Sequence, residues 1–235
     1  DVRQMVEVTL VDGEPGLGPF ESETDFLGVA LTAGNAPWQI QQSIASEWAA
    51  LPLGAPDIVV LANVERLPPE RVRELESLVA AGMGLMIFAG EQMDIEEYNR
   101  LLWKGGEGLL PARLNDLRDA ETQGLVIEPL ADSPLLPLAK LSAESLARVR
   151  PRRAIGISTE EDPGEQVRVL ARWNNPQSSP AVLEKQFGDG TVLLWTITAD
   201  RGWSDWPTEP SYVLAQRMAA NAVAARILRW ENLTA

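Results

Sequence analysis

Two uninterrupted apolar runs joined by an amphipathic segment constrain the fold of this chain more than any other feature. Residues 57–63 (DIVVLAN) and 84–90 (GLMIFAG) each contain five consecutive apolar side chains, a length typical of strands buried on both faces. Between them, residues 68–82 begin with two prolines and end at Gly82, as a helix does. The three segments predict a βαβ unit of a parallel sheet with a right-handed crossover.

The patterns around this unit predict a larger α/β sheet. Ser22 precedes an amphipathic segment and Asp94 precedes another, so each is expected to cap a helix. The alternating and partly polar run WQIQQSI predicts a strand near a sheet edge. The predicted elements are a strand at 5–11, a helix at 22–31, a strand at 38–44, a short helix at 46–51 and a helix at 94–103.

From about residue 104 the pattern changes to short β-rich segments. Gly188-Asp189-Gly190 divides two β-rich runs and predicts a hairpin over 181–198. The other predicted elements are a loop at 105–114, strands at 124–128, 152–158 and 165–173, a short helix within 134–147 and an amphipathic helix at 210–228. We therefore expect one α/β domain over 1–235. It would be a three-layer, mostly parallel sheet with a β-rich insertion at about 105–180 and a C-terminal hairpin plus helix.

Composition excludes several kinds of chemistry. With 34 acidic and 20 basic residues, the net charge of -14 disfavours binding to nucleic acid or to anionic lipid. The 235 residues include neither cysteine nor histidine, so disulfides, thiolate nucleophiles and imidazole bases are impossible. No apolar stretch reaches the roughly 18–20 residues that a membrane span requires. We expect no cofactor, no metal and no direct membrane insertion.

Polar residues follow four of the predicted strands. Because ligands of open parallel sheets bind beyond the carboxyl ends of the strands, these residues could form a polar, acidic crevice for a cation, a sugar or a peptide. The alternative is that they are ordinary turn residues, since Asp and Asn favour turns. The candidates are Asp12, Glu14, Asn63, Glu91, Gln92, Asp200, Arg201, Trp203, Asp205 and Trp206.

Two of these candidates are tryptophans in the unusual stretch DRGWSDWP, residues 200–207. Trp203 and Trp206 could stack on a sugar ring or contact a partner chain. They could equally pack beneath the last helix and close the core, because tryptophan is highly buried on average. The sequence favours the second interpretation.

The segment PDIVVLANVERLPPERVRELESLVAAGMGLMIFAGEQ (56–92) resembles the core of class I glutamine amidotransferase-like domains. With DGEPG and FGDGTVLLWTITADRGWSDWP, the likeness narrows to the module found in large bacterial membrane proteins with an aerotolerance-regulator (Bat-type) N-terminal region and a von Willebrand factor A domain. The resemblance implies a flavodoxin-like fold in a parent chain with transmembrane helices.

The same resemblance implies that the amidotransferase reaction is lost. When Gly90 and Gln92 are laid on the family's nucleophile motif, Phe88 takes the position of the cysteine. The chain has no histidine to complete a triad, so neither nucleophile nor base is present.

We therefore expect a non-catalytic interaction or ligand-binding module of a membrane-anchored bacterial protein, on the extracytoplasmic (periplasmic) side. Its partner would be a protein domain, a cell-envelope component or a small ligand. Two alternatives remain. The acidic strand ends could serve a carboxylate-based or metal-assisted hydrolase, or the domain could be a structural spacer without a pocket.

Overall fold

The chain folds around one mixed eight-stranded sheet in a computed structural model that describes residues 5–34, 38–120, 122–158 and 164–224. The strands are β1 Val6–Asp12, β2 Trp38–Ile44, β3 Ile58–Ala62, β4 Gly84–Phe88, β5 Leu114–Asp119, β6 Leu125–Ile127, β7 Arg153–Ile157, β8 Val167–Trp173, β9 Pro180–Phe187 and β10 Gly190–Trp195. The order of the main sheet is β2-β1-β3-β4-β10-β9-β8-β6, and β5 pairs with β7 in a separate two-stranded sheet.

Seven α-helices occur among the described residues. They are α1 Glu23–Thr32, α2 Ala45–Ala50, α3 Pro69–Ala80, α4 Ile95–Tyr98, α5 Leu136–Leu141, α6 Ala143–Arg148 and α7 Pro210–Val223. The predicted caps are confirmed, because the side chains of Ser22 and Asp94 accept hydrogen bonds from the backbone N–H groups of Thr24 and Glu97.

One half of the sheet is parallel. β1 lies between β2 and β3, β4 follows β3, and β10 lies beside β4, all in parallel register. Every residue of β3 and β4 is buried, which explains their uninterrupted apolar sequences. These two strands and α3 form the predicted βαβ unit.

The other half of the sheet is antiparallel, and this corrects the expected fold class. β9 runs antiparallel to β10, β8 to β9, and β6 to β8. The mostly parallel, flavodoxin-like or amidotransferase-like sheet is therefore wrong. The hairpin itself was predicted, but its first strand, β9, also pairs with β8, and β8 pairs with β6, so both of these strands join the main sheet. Whether these strands run parallel or antiparallel depends on pairing between distant segments of the chain. Local apolar patterns do not predict that pairing.

The helices cover both faces of the parallel half. From β1 the chain moves through α1 to β2 in one direction along the sheet, and from β3 through α3 to β4 in the other. Crossovers of the same hand then place α1 and α3 on opposite faces. α7 packs beside α1. On the face of α3, the Arg71 guanidinium donates to the backbone carbonyls of Trp48, Ala49 and Leu51, which fixes α2 in place.

Several predicted elements differ in detail. The helix expected at 94–103 is α4 followed by a π-helical turn at Asn99–Trp103, and the helix expected within 134–147 is the pair α5 and α6. β5 was not predicted, because its sequence LNDLRD is mostly polar. α7 ends at Val223, and residues 225–228 of the predicted helix lie outside the described residues.

Candidate ligand-binding site

A crevice of about 480 Å³ lies beyond the carboxyl ends of the parallel strands. Its volume is within the range of small-molecule sites, roughly 300–1,000 Å³. Five carboxyl groups and one guanidinium line it, so its wall is acidic. The lining residues are Glu14, Pro15, Gly16, Leu17, Glu21, Glu23, Asn63, Glu91, Arg153, Thr198, Asp200, Gly202 and Trp203.

Asn63 joins three strand ends at the base of the crevice. It is buried and adopts a left-handed backbone (φ 52°), which asparagine tolerates better than most residues. Its Nδ2 donates to Glu14 Oε2 at 2.9 Å, and its Oδ1 accepts from the backbone N–H of Gln92 at 2.9 Å. The ends of β1, β3 and β4 are thereby held in one fixed arrangement, which preorganises the crevice.

Glu23 is a buried carboxyl group in the crevice wall. It stands in the first turn of α1, and its Oε2 accepts from the backbone N–H of Ala199 at 2.9 Å. Burial raises its pKa well above the ordinary value, the Ala199 N–H opposes the rise, and the charges of Asp200, Asp12 and Glu14 add to it. Relative to an exposed glutamate, Glu23 is therefore shifted toward its protonated form.

The backbone of Ala199 is held at both its N–H and its carbonyl group. Glu23 accepts from its N–H, and the Tyr212 hydroxyl on α7 donates to the Ala199 carbonyl at 2.6 Å. Burial, with the charges of Glu23 and Asp200, also raises the pKa of Tyr212. This network ties α1 and α7 to the segment that follows β10 and fixes the position of Asp200.

The opposite wall contains an ion pair and a tryptophan. Arg153 Nη1 contacts Glu91 Oε2 at 3.0 Å, and the Arg153 guanidinium lies 5.6 Å from the centre of the Trp203 ring. Trp203 is buried, and its backbone N–H donates to Thr198 Oγ1. The guanidinium of Arg153 therefore partly covers the face of the Trp203 ring on which a sugar was predicted to stack.

Five of the predicted site residues do not line the crevice. The carboxylate of Asp12 is buried and accepts from the Ser22 and Thr24 hydroxyls, which stabilises the start of α1. Asp205 accepts from the backbone N–H of Arg150. Trp206 is buried in the core, and Gln92 and Arg201 are exposed outside the lining.

Phe88, the supposed nucleophile position, is also a core residue. It is buried at the end of β4, and its ring stacks on Trp195 with a centroid distance of 5.5 Å and an interplanar angle of 4°. Phe88 is absent from the lining of the crevice. Its side chain contributes to packing between β4 and β10.

Four crevice residues with polar side chains were not predicted from the sequence: Glu21, Glu23, Thr198 and Arg153. Glu23 looked like an ordinary acidic residue in the first turn of a helix. Arg153 begins β7, which lies outside the main sheet, so nothing in the sequence places it at the strand ends. Thr198 extends the segment after β10, so the strand-end rule could have included it.

The crevice offers no metal centre among the described residues, where no group of three or more acidic side chains is arranged to hold an ion. Most of the carboxylates already have partners. Glu21 accepts from the backbone N–H groups of Leu17 and Gly18, and Asp200 accepts from that of Gly202. The site is better suited to recognising a ligand than to coordinating a metal.

We predict that Glu23→Gln reduces the loss of stability that the wild type shows as the pH rises above the ordinary glutamate pKa of 4.5. A carboxyl group whose folded pKa lies above its ordinary value of 4.5 contributes stability below that pH, and the contribution is lost as pH rises through the folded pKa. Glutamine keeps an oxygen for the Ala199 N–H but does not ionise. Urea unfolding across this pH range tests the prediction, and equal pH slopes for both proteins would contradict it.

Together, these observations describe a mixed α/β protein with an acidic crevice at its parallel strand ends. Its backbone is similar to the cytoplasmic proteins STM1381 of Salmonella typhimurium LT2 (TM-score 0.63, 15% identity, 93% of this chain and 97% of that chain) and STM3548 of Salmonella typhimurium (0.65, 13%, 91% and 98%). It is also similar to a β-galactosidase from Bacillus circulans sp. alkalophilus (0.58, 12%), covering 93% of this chain but 31% of the enzyme. These similarities concern the fold alone.

No protein-family model matches the sequence, and no curated protein matches it either. The resemblance to class I glutamine amidotransferase-like domains is wrong, because the similar structures are the Salmonella proteins and glycosidases. An apolar βαβ unit followed by a glycine turn is a general feature of parallel sheets, so it was a poor guide to family.

The expected membrane and periplasmic setting is likewise corrected. It depended on the amidotransferase resemblance, and two of the similar structures are described as cytoplasmic proteins. Among the described residues, none of the helices combines the length and the apolar character needed to span a bilayer.

Proposed function

We propose that this chain is a non-catalytic binding module whose crevice takes a small ligand with a positively charged group, such as an amine. The observation that carries the proposal is the lining of the crevice, where five carboxyl groups meet one guanidinium. A cationic group placed there would gain charge-assisted hydrogen bonds in a site partly shielded from water.

The arrangement of the charges supports the same ligand class. Glu91 is paired with Arg153, and the raised pKa of Glu23 favours its neutral form. Among the described residues, the carboxylates of Glu14, Asp200 and Glu21 accept from neutral N–H groups, those of the Asn63 side chain and of the Gly202, Leu17 and Gly18 backbone. These three carboxylates are therefore the groups that would meet a ligand cation.

We expect the amines putrescine and glucosamine to bind with saturable 1:1 stoichiometry in isothermal titration calorimetry, and neutral glucose not to bind. Asp200→Asn should weaken amine binding by about three- to tenfold, because it removes one charge while keeping the acceptor for Gly202.

Glu107→Gln is the matched control, since it removes an exposed carboxylate outside the crevice and should leave the affinity unchanged. The proposal fails if none of the amines saturates. It also fails if the two variants weaken binding equally, because the attraction would then come from net charge.

Carboxylate-based hydrolysis is the second candidate. The raised pKa of Glu23, beside the carboxyl groups of Asp200 and Glu14, is the kind of difference that separates acid and base roles in glycoside hydrolysis. Against it, Asp200 and Glu14 are each held by a donor from the protein. Turnover of aryl glycosides that disappears in Glu23→Gln would establish this alternative, and the absence of turnover in the wild type would support the binding module.

A further inference from the structure

A second cavity shares no lining residue with the acidic crevice, and guanidinium groups outnumber carboxylates among its described lining residues. It measures about 680 Å³ and lies between the β5–β7 sheet and the turn that joins β8 to β9. Three arginines line it, Arg113, Arg118 and Arg172, and Asp119 is the sole carboxylate among the described lining residues. Three arginines in one lining are notable in a chain whose net charge is -14, although Arg172 also forms an ion pair with Glu128.

Arg118 is the key residue of this arginine cavity. It lies on β5, where it is exposed and makes no ion pair or side-chain hydrogen bond within the described part of the chain. Its Nε passes close to Gly156 on β7, 3.1 Å from the position that a Cβ there would occupy. The glycine leaves room for the guanidinium to lie along the cavity wall with its donors unused.

Arg172 is anchored by two bonds, and this fixes its direction. Its Nε donates to Glu128 Oε1 at 2.6 Å and its Nη1 to the Ser178 carbonyl at 2.9 Å. The side chain is 33% exposed, so it is held rather than freely solvated. An arginine whose guanidinium group is already held in place loses little conformational entropy when it binds an oxyanion.

Neutral polar groups complete the wall. The side chains of Asn115, Ser158 and Gln177 line the same cavity, and none of them has a hydrogen-bond partner among the described residues. Such groups suit the hydroxyls of a sugar, while guanidinium groups suit a phosphate or a carboxylate. The cavity volume matches that of a small-molecule site.

We propose that the arginine cavity is a binding site for a small polyhydroxyl molecule carrying an oxyanion, such as a sugar phosphate or a sugar acid. Arg118 and Arg172 bind the oxyanion, and the amide and hydroxyl side chains bind the ring hydroxyls. This site is independent of the crevice at the strand ends and does not rest on the function proposed for it.

Calorimetry at fixed ionic strength with glucose 6-phosphate, glucuronate and neutral glucose tests the proposal. At least one of the two anions should bind 1:1, and glucose should not bind. The anion that binds with the higher affinity shows whether the site prefers a phosphate or a carboxylate. Arg118→Gln should weaken that binding about tenfold or more, because charge-assisted hydrogen bonds to the oxyanion are lost.

Arg73→Gln provides the control, since it removes the same charge from an exposed position on α3, away from the cavity. Its affinity should equal that of the wild type. The proposal is overturned if neither anion saturates, if glucose binds as tightly as its charged counterparts, or if Arg118→Gln binds like the wild type or like Arg73→Gln.

Discussion

Replacing Trp206 by alanine is expected to lower the free energy of unfolding by about 3–5 kcal/mol. The Trp206 ring is buried between the rings of Trp195 and Tyr212, at centroid distances of 5.4 and 5.6 Å. Its Nε1 donates to Ser211 Oγ at 2.9 Å. Alanine would leave a large cavity between β10 and α7, and the Ser211 hydroxyl would lose the Trp206 donor while keeping its bond to Ser145 Oγ.

Urea unfolding followed by circular dichroism measures this change, and Trp206→Phe is the matched control. Phenylalanine keeps most of the ring packing and loses the hydrogen bond, so its loss of stability should be clearly smaller. If Trp206→Ala were as stable as the wild type but bound amines more weakly, the residue would be a ligand contact, as one reading of the sequence allowed.

The second large effect is expected at Gly13, where β1 ends. A Cβ on this residue would stand 1.9 Å from the backbone oxygen of Asn63 and 2.7 Å from the Cα of Val64. Because both atoms belong to the backbone, relief requires that the ends of β1 and β3 separate. Gly13→Ala should therefore cost about 1–3 kcal/mol or more of stability and should also weaken amine binding, since Glu14 would move away from Asn63.

Gly28→Ala is the control for this substitution. Gly28 lies inside α1, and only the Nε2 atom of the flexible Gln42 side chain comes within 4 Å of the new Cβ, at 3.1 Å. Alanine in a helix interior is favoured over glycine by roughly 0.5–1 kcal/mol, so stability should stay equal or rise. Equal stability of Gly13→Ala and Gly28→Ala would show that the ends of β1 and β3 are not in close contact.

Local sequence patterns predicted the elements whose formation depends on interactions between residues close in sequence. The apolar runs of β3 and β4, the prolines at the start of α3, the glycines of the β9–β10 turn and the caps at Ser22 and Asp94 each act over a few residues. These features identified the βαβ unit and the hairpin correctly.

The sheet as a whole depends on long-range pairing, and there the prediction failed. Strands β6 and β8 are short or partly polar, and nothing in their sequences says whether they join the main sheet or form a separate insertion. The family resemblance also led us to expect a mostly parallel sheet. The antiparallel pairing of β8, β9 and β10 contradicts that expectation.

The candidate site was predicted in part, for a related reason. The rule that polar residues gather beyond parallel strand ends brought Glu14, Asn63, Glu91, Asp200 and Trp203 to the crevice. The same rule cannot find Glu23, which enters from a helix, or Arg153, which enters from β7 in the second sheet. Nor could it show that the Asp12 carboxylate is used internally, by Ser22 and Thr24.

Chemical-shift mapping with putrescine on the ¹⁵N-labelled protein tests the central claim most directly, because it locates the bound amine. We expect the largest shifts at the backbone amides of Gly16, Gly202 and Trp203, which line the crevice. These shifts should saturate together and be reduced in Asp200→Asn. Shifts spread instead over exposed acidic positions such as Glu70 and Glu107 would show attraction to net charge, and would contradict a binding site at the strand ends.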